Sequence, residues 1–151
     1  MDKNSLKDIA HKMVADGKGI LAADESTGTI KKRFDTIALE STEDSRRDYR
    51  EMLFRSDEAM QSAISGVILY DETIRQKAAD GTTLVSLIEQ AGSIPGIKVD
   101  TGAKDMAGHP NEKVTEGLDG LRERLEEYFE LGARCAKWRA VINIGGGIPS
   151  G

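Results

Sequence analysis

The chain has 151 residues, 38% hydrophobic and 31% charged, with a net charge of −5. That is enough for one globular domain with a real core, and the acidic balance argues against general nucleic-acid binding. No apolar run approaches the ~20 residues of a membrane span. The single cysteine, Cys135, excludes an internal disulfide, so a reducing, cytoplasmic setting is expected, and the polar start "MDKNSLKDIA" carries no secretory signal.

In chain order, Leu6, Ile9, Ala10, Met13 and Val14 recur at helical spacing and predict an amphipathic helix, broken by Gly17 and Gly19. Residues 19–23 read as a short buried strand. "STGTIKKRF" opens a helix with Ser26 or Thr27 as N-cap, and "STEDSRRDYREML" opens another, with Ser41 and Asp44 at capping-box spacing. "AISGVILY" is a strand, and "DETIRQKAADG" after it is a loop or a short helix. "TLVSLIEQAG" is a helix ending at Gly92. "SIPGIKVD" is a strand with its proline near the start, where proline is tolerated. "GLDGLRERLEEYFELG" puts Leu118, Leu121, Leu125 and Tyr128 on one helical face and stops at Gly132. "RCAKWRAVINI" is the last strand, with Trp138 pointing into the core. Four strands separated by helices imply parallel pairing in chain order, in a small open α/β sheet or in part of a (β/α)8 barrel.

Charge placement separates these. Asp24 closes the first strand, Lys98 and Asp100 the third, and Lys137 and Arg139 share one face of the fourth. An unpaired buried charge costs several kcal/mol. Three such cases at the same end of parallel strands indicate a site, because barrel active sites are built there.

The chemistry leaves alternatives. Asp24 is a candidate acid or base, or a carboxylate favoured by a helix N-terminus. Ser26 and Thr29 in "ESTGT" suit a phosphate, or simply cap the helix. Lys31, Lys32 and Arg33 could reinforce an anion seat or form a solvated face. Lys98 and Lys137, within strands, suit Schiff-base chemistry or oxyanion stabilisation, against structural Lys–Asp pairs. Arg139 beside Lys137 favours an anionic ligand. "GKGILA" is no dinucleotide fingerprint, because its glycines precede a strand. His11 and His109 lack partners at metal-ligand spacing, so no metal and no cofactor is expected.

The blocks "GKGILAADESTGTIKKRF", "GVILYDETIRQKAADG", "GIKVDTGAKDMAG", "TEGLDGLRERLEEY" and "AKWRAVINIG" resemble the class I fructose-bisphosphate aldolases, in that family's order and spacing. The resemblance covers essentially the whole chain, but only the N-terminal part of the family. It implies a (β/α)8 TIM barrel of which residues 1–151 form one incomplete domain, a half-barrel of about four parallel strands with helices. It implies metal-independent cleavage of fructose 1,6-bisphosphate to triose phosphates through a lysine Schiff base, in a homo-oligomer, a tetramer in the full-length family. Carried over by match, Asp24 orients substrate and handles protons. Lys98 contacts the far phosphate and hydroxyls, and Lys137 stabilises charge at the reacting carbon. Ser26, Thr29, Arg33, Arg46 and Arg139 fall at phosphate-contacting positions. Thr29 stands where serine is more usual and keeps the hydroxyl. The Schiff-base lysine and the glutamate acid/base have no counterpart within these residues, so the chain is expected to be inactive alone. The alternative from another class is a non-catalytic phosphosugar-binding or assembly half-barrel; a small α/β protein reusing these blocks is a third.

Overall fold

The computed structural model describes residues 3–151. Its elements run α1 (Lys3–Met13), β1 (Gly19–Ala23), α2 (Thr27–Asp35), α3 (Glu43–Phe54), α4 (Asp57–Ala63), β2 (Ile64–Leu69), α5 (Asp71–Arg75), α6 (Leu84–Gln90), β3 (Ile94–Lys98), β4 (Gly102–Asp105), β5 (Lys113–Glu116), α7 (Leu121–Glu130) and β6 (Cys135–Lys137). Strands β1, β2, β3 and β6 form one parallel sheet in that order, and β4 and β5 form a separate antiparallel ribbon. The fold is α/β, and four parallel strands stand side by side in chain order.

The central strands β2 and β3 are apolar because they are covered on both faces, as parallel strands usually are. Val67, Leu69, Ile97 and Val99 pack with Leu84 and Ile88 of α6, Phe54 of α3, Met60 of α4 and Tyr128 of α7. Two glycines make this closeness possible. A Cβ on Gly66 would lie 2.5 Å from Met13 Sδ, and one on Gly96 would lie 2.5 Å from Cys135 Sγ. Without those side chains, α1 approaches the sheet directly and β6 pairs closely with β3.

Several sequence expectations change at the edges. Among the described residues strand β1 is bonded only to β2, and where its composition suggests a buried strand, Ile20 is 48% exposed. Strand β6 is only three residues long, and Trp138, expected in the core, is 37% exposed. Beyond it Ile142 and Ile144 lie bare. Leu6 and Val14 of the first helical pattern are exposed, and Leu118 precedes α7 instead of packing along it. The capping box of α3 sits one residue later than expected. Thr42 Oγ1 accepts from the Ser45 N–H at 3.1 Å, and Ser45 Oγ accepts from the Thr42 N–H at 2.9 Å. The segment after β2 is the short helix α5. The helix α4 and the β4–β5 ribbon were not foreseen.

The contrast between central and edge strands is measurable. Ile97→Ala, in the sheet centre, is expected to lower unfolding free energy by about 2–5 kcal/mol. Ile20→Ala, on the edge, is expected to stay within about 0.5 kcal/mol. Urea unfolding of both variants checks this; equal losses would contradict the placement of β1 at an exposed edge.

Candidate functional site

The C-terminal strand ends carry the charges. Asp24 follows β1, Tyr70 and Asp71 follow β2, Lys98 ends β3, and Lys137 ends β6. All of them line one cavity of about 560 Å³, together with Asp100 and Arg139. Lys98 and Lys137 are direct neighbours in register across β3 and β6. Neighbouring like charges repel, and each ammonium has its own carboxylate. Lys137 Nζ lies 2.5 Å from Asp24 Oδ2. Lys98 Nζ donates to Asp100 Oδ1 at 2.6 Å and to the Asp100 carbonyl at 2.7 Å.

Asp100 is held from several sides. Its Oδ2 accepts from the Arg139 N–H and its Oδ1 from the Gly102 N–H, both at 3.2 Å. Burial pushes this carboxyl up, but the Lys98 ammonium and these N–H donors outweigh it and hold Asp100 below the ordinary carboxylate value. Asp24 is buried at 8% exposure, with the Lys137 ammonium as its ion-pair partner.

Beside the two lysines lies a seat suited to an anion. Ser26 is the N-cap of α2, but its Oγ meets Thr29 Oγ1 at 3.1 Å and caps no backbone N–H. Among the described residues, the Thr27 and Gly28 N–H groups have no protein partner. Free first-turn N–H groups with hydroxyls beside them match the chemistry of phosphate. Arg33, one turn along, pairs with Glu25 at 2.5 Å. Lys31 instead makes an exposed pair with Asp35 and takes the solvated-face role. The Arg139 guanidinium is exposed and makes no ion pair among the described residues. In all, five cationic and four acidic side chains line the cavity, so it is locally positive in a chain of net charge −5.

The cavity brings together Asp24, Ser26, Thr29, Arg33, Lys98, Lys137 and Arg139. Arg46 stands apart, against the expectation of a phosphate contact. It is buried and forked onto Glu72, with Nε to Oε2 at 2.8 Å and Nη2 to Oε1 at 2.5 Å, while Nη1 donates to the Ser41 carbonyl at 3.1 Å. Its donors are committed to the protein.

Four wall residues escaped the sequence reading: Tyr70, Asp71, Arg124 and Tyr128. Tyr128 donates to Asp71 Oδ1 at 2.9 Å. Arg124 donates to the Val99 and Gly117 carbonyls at 3.0 and 2.5 Å, fastening the loop after β3. The signal existed. Arg124 and Tyr128 are four residues apart, hence on one helical face, and Asp71 completes the pattern of charge beyond every strand of the sheet. Cys135 is half-buried, and burial pushes its thiol up, away from the reactive thiolate form. Among the described residues no cluster of three or more His, Cys, Asp or Glu side chains could hold a metal, and no helix is long and apolar enough to cross a membrane.

Comparison with known proteins matches residues 5–151 to the family model described as fructose-bisphosphate aldolase class-I. The probable fructose-bisphosphate aldolase class 1 of Xanthomonas campestris pv. campestris is 59% identical over 151 residues, which is 100% of this chain and 45% of that protein. Fructose-bisphosphate aldolase C of Carassius auratus is 51% identical over 148 residues, 98% of this chain and 41% of the relative. The chain spans about half the length of the curated relatives it matches. Among solved structures, the fructose-bisphosphate aldolase of Plasmodium falciparum, crystallised with TRAP and a small-molecule inhibitor, superposes with a TM-score of 0.88 at 50% identity. That match covers 94% of this chain and 41% of the other.

The Asp100 geometry predicts a pH effect. A carboxyl depressed in the folded state stabilises above its ordinary value of 3.8, and that stabilisation is lost as pH falls through the folded value. Asp100→Asn is therefore expected to cost about 1.5–3 kcal/mol at pH 7, the range for a hydrogen bond to a charged group. The cost should shrink towards pH 2. Urea unfolding across that range checks it; a pH-independent difference would contradict the ionised pairing with Lys98.

Proposed function

The chain belongs to the class I fructose-bisphosphate aldolase family, and on that premise we propose that its cavity is the phosphate-binding and charge-stabilising part of a Schiff-base, metal-independent fructose 1,6-bisphosphate lyase. The observation that carries this reading is the meeting of Asp24, Lys98 and Lys137 at the ends of three strands, in one cavity with Ser26, Thr29, Arg33 and Arg139. Cleaving a carbon–carbon bond beside a carbonyl needs a sink for the released electron pair. In the family a lysine iminium on another strand supplies it, and that lysine has no match among these residues.

What these residues do follows from their chemistry. Arg139, exposed at the rim, meets a phosphate first. The unpartnered N–H groups of α2 and the hydroxyls of Ser26 and Thr29 receive a phosphate on the β1 side, with Arg33 exchanging its bond to Glu25 for one to the ligand. Lys98 offers its ammonium to substrate oxygens while Asp100 balances it. Lys137 and Asp24 act as a pair. The ammonium stabilises negative charge developing at the reacting hydroxyl, and the carboxylate, released from it, accepts or returns a proton. The products of the whole protein on this reading are dihydroxyacetone phosphate and glyceraldehyde 3-phosphate. Assembly as a homo-oligomer and a cytoplasmic location belong to the same reading and rest on family membership.

Titration calorimetry with fructose 1,6-bisphosphate tests this. The chain is expected to bind it weakly, with Arg139→Ala and Lys98→Ala each weakening affinity about ten- to hundredfold, as for the loss of one charge-assisted contact. Unchanged affinity in both variants would overturn the site. Borohydride added to the mixture is expected to trap no adduct on the 151 residues, and a coupled assay is expected to detect no triose phosphate. A stoichiometric adduct mapped to Lys98 or Lys137, with turnover, would show that the modified lysine is itself the nucleophile.

A further inference from the structure

Arg50 is a fully buried arginine that the catalytic reading leaves unused. It lies on α3 at 0% exposure. Its guanidinium grips the chain on both sides of Asp24: Nε donates to the Ala23 carbonyl at 3.3 Å and Nη2 to the Glu25 carbonyl at 2.8 Å. The peptide unit that enters Asp24 and the one that leaves Glu25 are therefore fastened to one rigid fork, which brackets the Asp24–Glu25 step. The fork is held in turn by two carboxylates, Glu25 at 3.7 Å and Glu72 at 3.9 Å. Glu72 is gripped by Arg46, and Glu25 holds Arg33.

The arrangement is incompletely satisfied. Among the described residues Arg50 Nη1 and Glu25 Oε2 are buried side-chain atoms without a hydrogen-bond partner. Burial also makes the Arg50 cation harder to hold, against the pull of Glu25 and Glu72. A merely structural position on a helix facing the core would be filled more cheaply by an apolar side chain. A buried cation in that place needs a task that only a planar, multiply donating group performs.

We infer that Arg50 is a positioning residue for the candidate site, fixing the Ala23–Glu25 backbone so that Asp24 meets Lys137 and Glu25 presents Arg33 at the anion seat. The role rests on the site assignment above. It explains the geometry of a carboxylate on an edge strand. Among the described residues β1 has a bonded neighbour on one side only, and its aspartate meets a lysine 113 residues away. Arg50 braces that end from α3. Arg46 holds Glu72, one of the two carboxylates beside the fork.

The test reads the two lysines separately. Lys137 depends on Asp24 and hence on Arg50, whereas the partner of Lys98 is Asp100, which Arg50 does not touch. The full 151-residue chain and its Arg50→Met variant are treated with limiting acetic anhydride, and modification at each lysine is followed by mass spectrometry. With circular dichroism unchanged, Lys137 is expected to react several-fold faster in the variant while Lys98 keeps its rate. Equal rates in both proteins would overturn the proposal, as would a parallel rise at both lysines, which marks general loosening. If Arg50→Met does not fold, Arg50→Lys decides. Lysine keeps the charge but cannot span both carbonyls, so a selective rise at Lys137 supports the role and its absence overturns it. The reactivity ratio needs no ligand. A site that fails to bind inorganic phosphate would therefore defeat the functional reading without touching this result, and the reverse also holds.

Discussion

The ion pair between Lys137 and Asp24 is the interaction on which the rest depends. It joins the ends of β6 and β1, the two outermost strands of the sheet. In a flat sheet these strands would stand three spacings apart, about 14 Å, further than the two side chains reach along that line. Their meeting requires the sheet to curl, carboxylate towards ammonium, as the wall of a barrel does. Curvature places every strand end on the concave rim, and the cavity follows from it.

Curvature also concentrates charge. Lys98 and Lys137 are forced side by side by the β3–β6 register, and they are tolerable only because Asp100 and Asp24 face them. The same pairing makes the cavity responsive. An anion entering it competes with carboxylates for cations already in place, so binding exchanges partners instead of ordering loose side chains. The surrounding polar network works in the same direction. Arg50 and Arg46 reach from α3 to β1 and to the start of α5, and Arg124 reaches from α7 to the loop after β3. Helices outside the sheet thereby hold the strand ends that the sheet's own ladder stops short of.

The central strands were legible in the sequence because burial on both faces writes a continuous apolar run, and the charges that end those runs marked the rim. The same signal misled at the edges. Ile20 and Trp138 look like core residues, but exposure depends on whether a neighbouring strand exists, which no local pattern encodes. The β4–β5 ribbon was invisible because Lys104, Asp105, Lys113 and Glu116 give no apolar alternation; backbone pairing and the Lys113–Asp105 ion pair hold it. The capping box slipped by one because Ser41, Thr42, Asp44 and Ser45 offer two overlapping registers of equal chemical merit. The Arg46–Glu72 pair was out of reach of local pattern because the partners are 26 residues apart. Arg124 and Tyr128 were missed for the opposite reason. Their spacing was plain, but nothing in it shows which side of α7 faces the rim.

The most direct test of the curled, convergent rim is a double-mutant cycle on Asp24 and Lys137, using Asp24→Asn, Lys137→Met and the pair, with stability read from urea unfolding at neutral pH. Residues in contact couple by about 0.5–3 kcal/mol, and independent ones add. The structure predicts a favourable coupling within that range. Additive effects would mean that the two outer strand ends do not meet, and the shared cavity would fall with them.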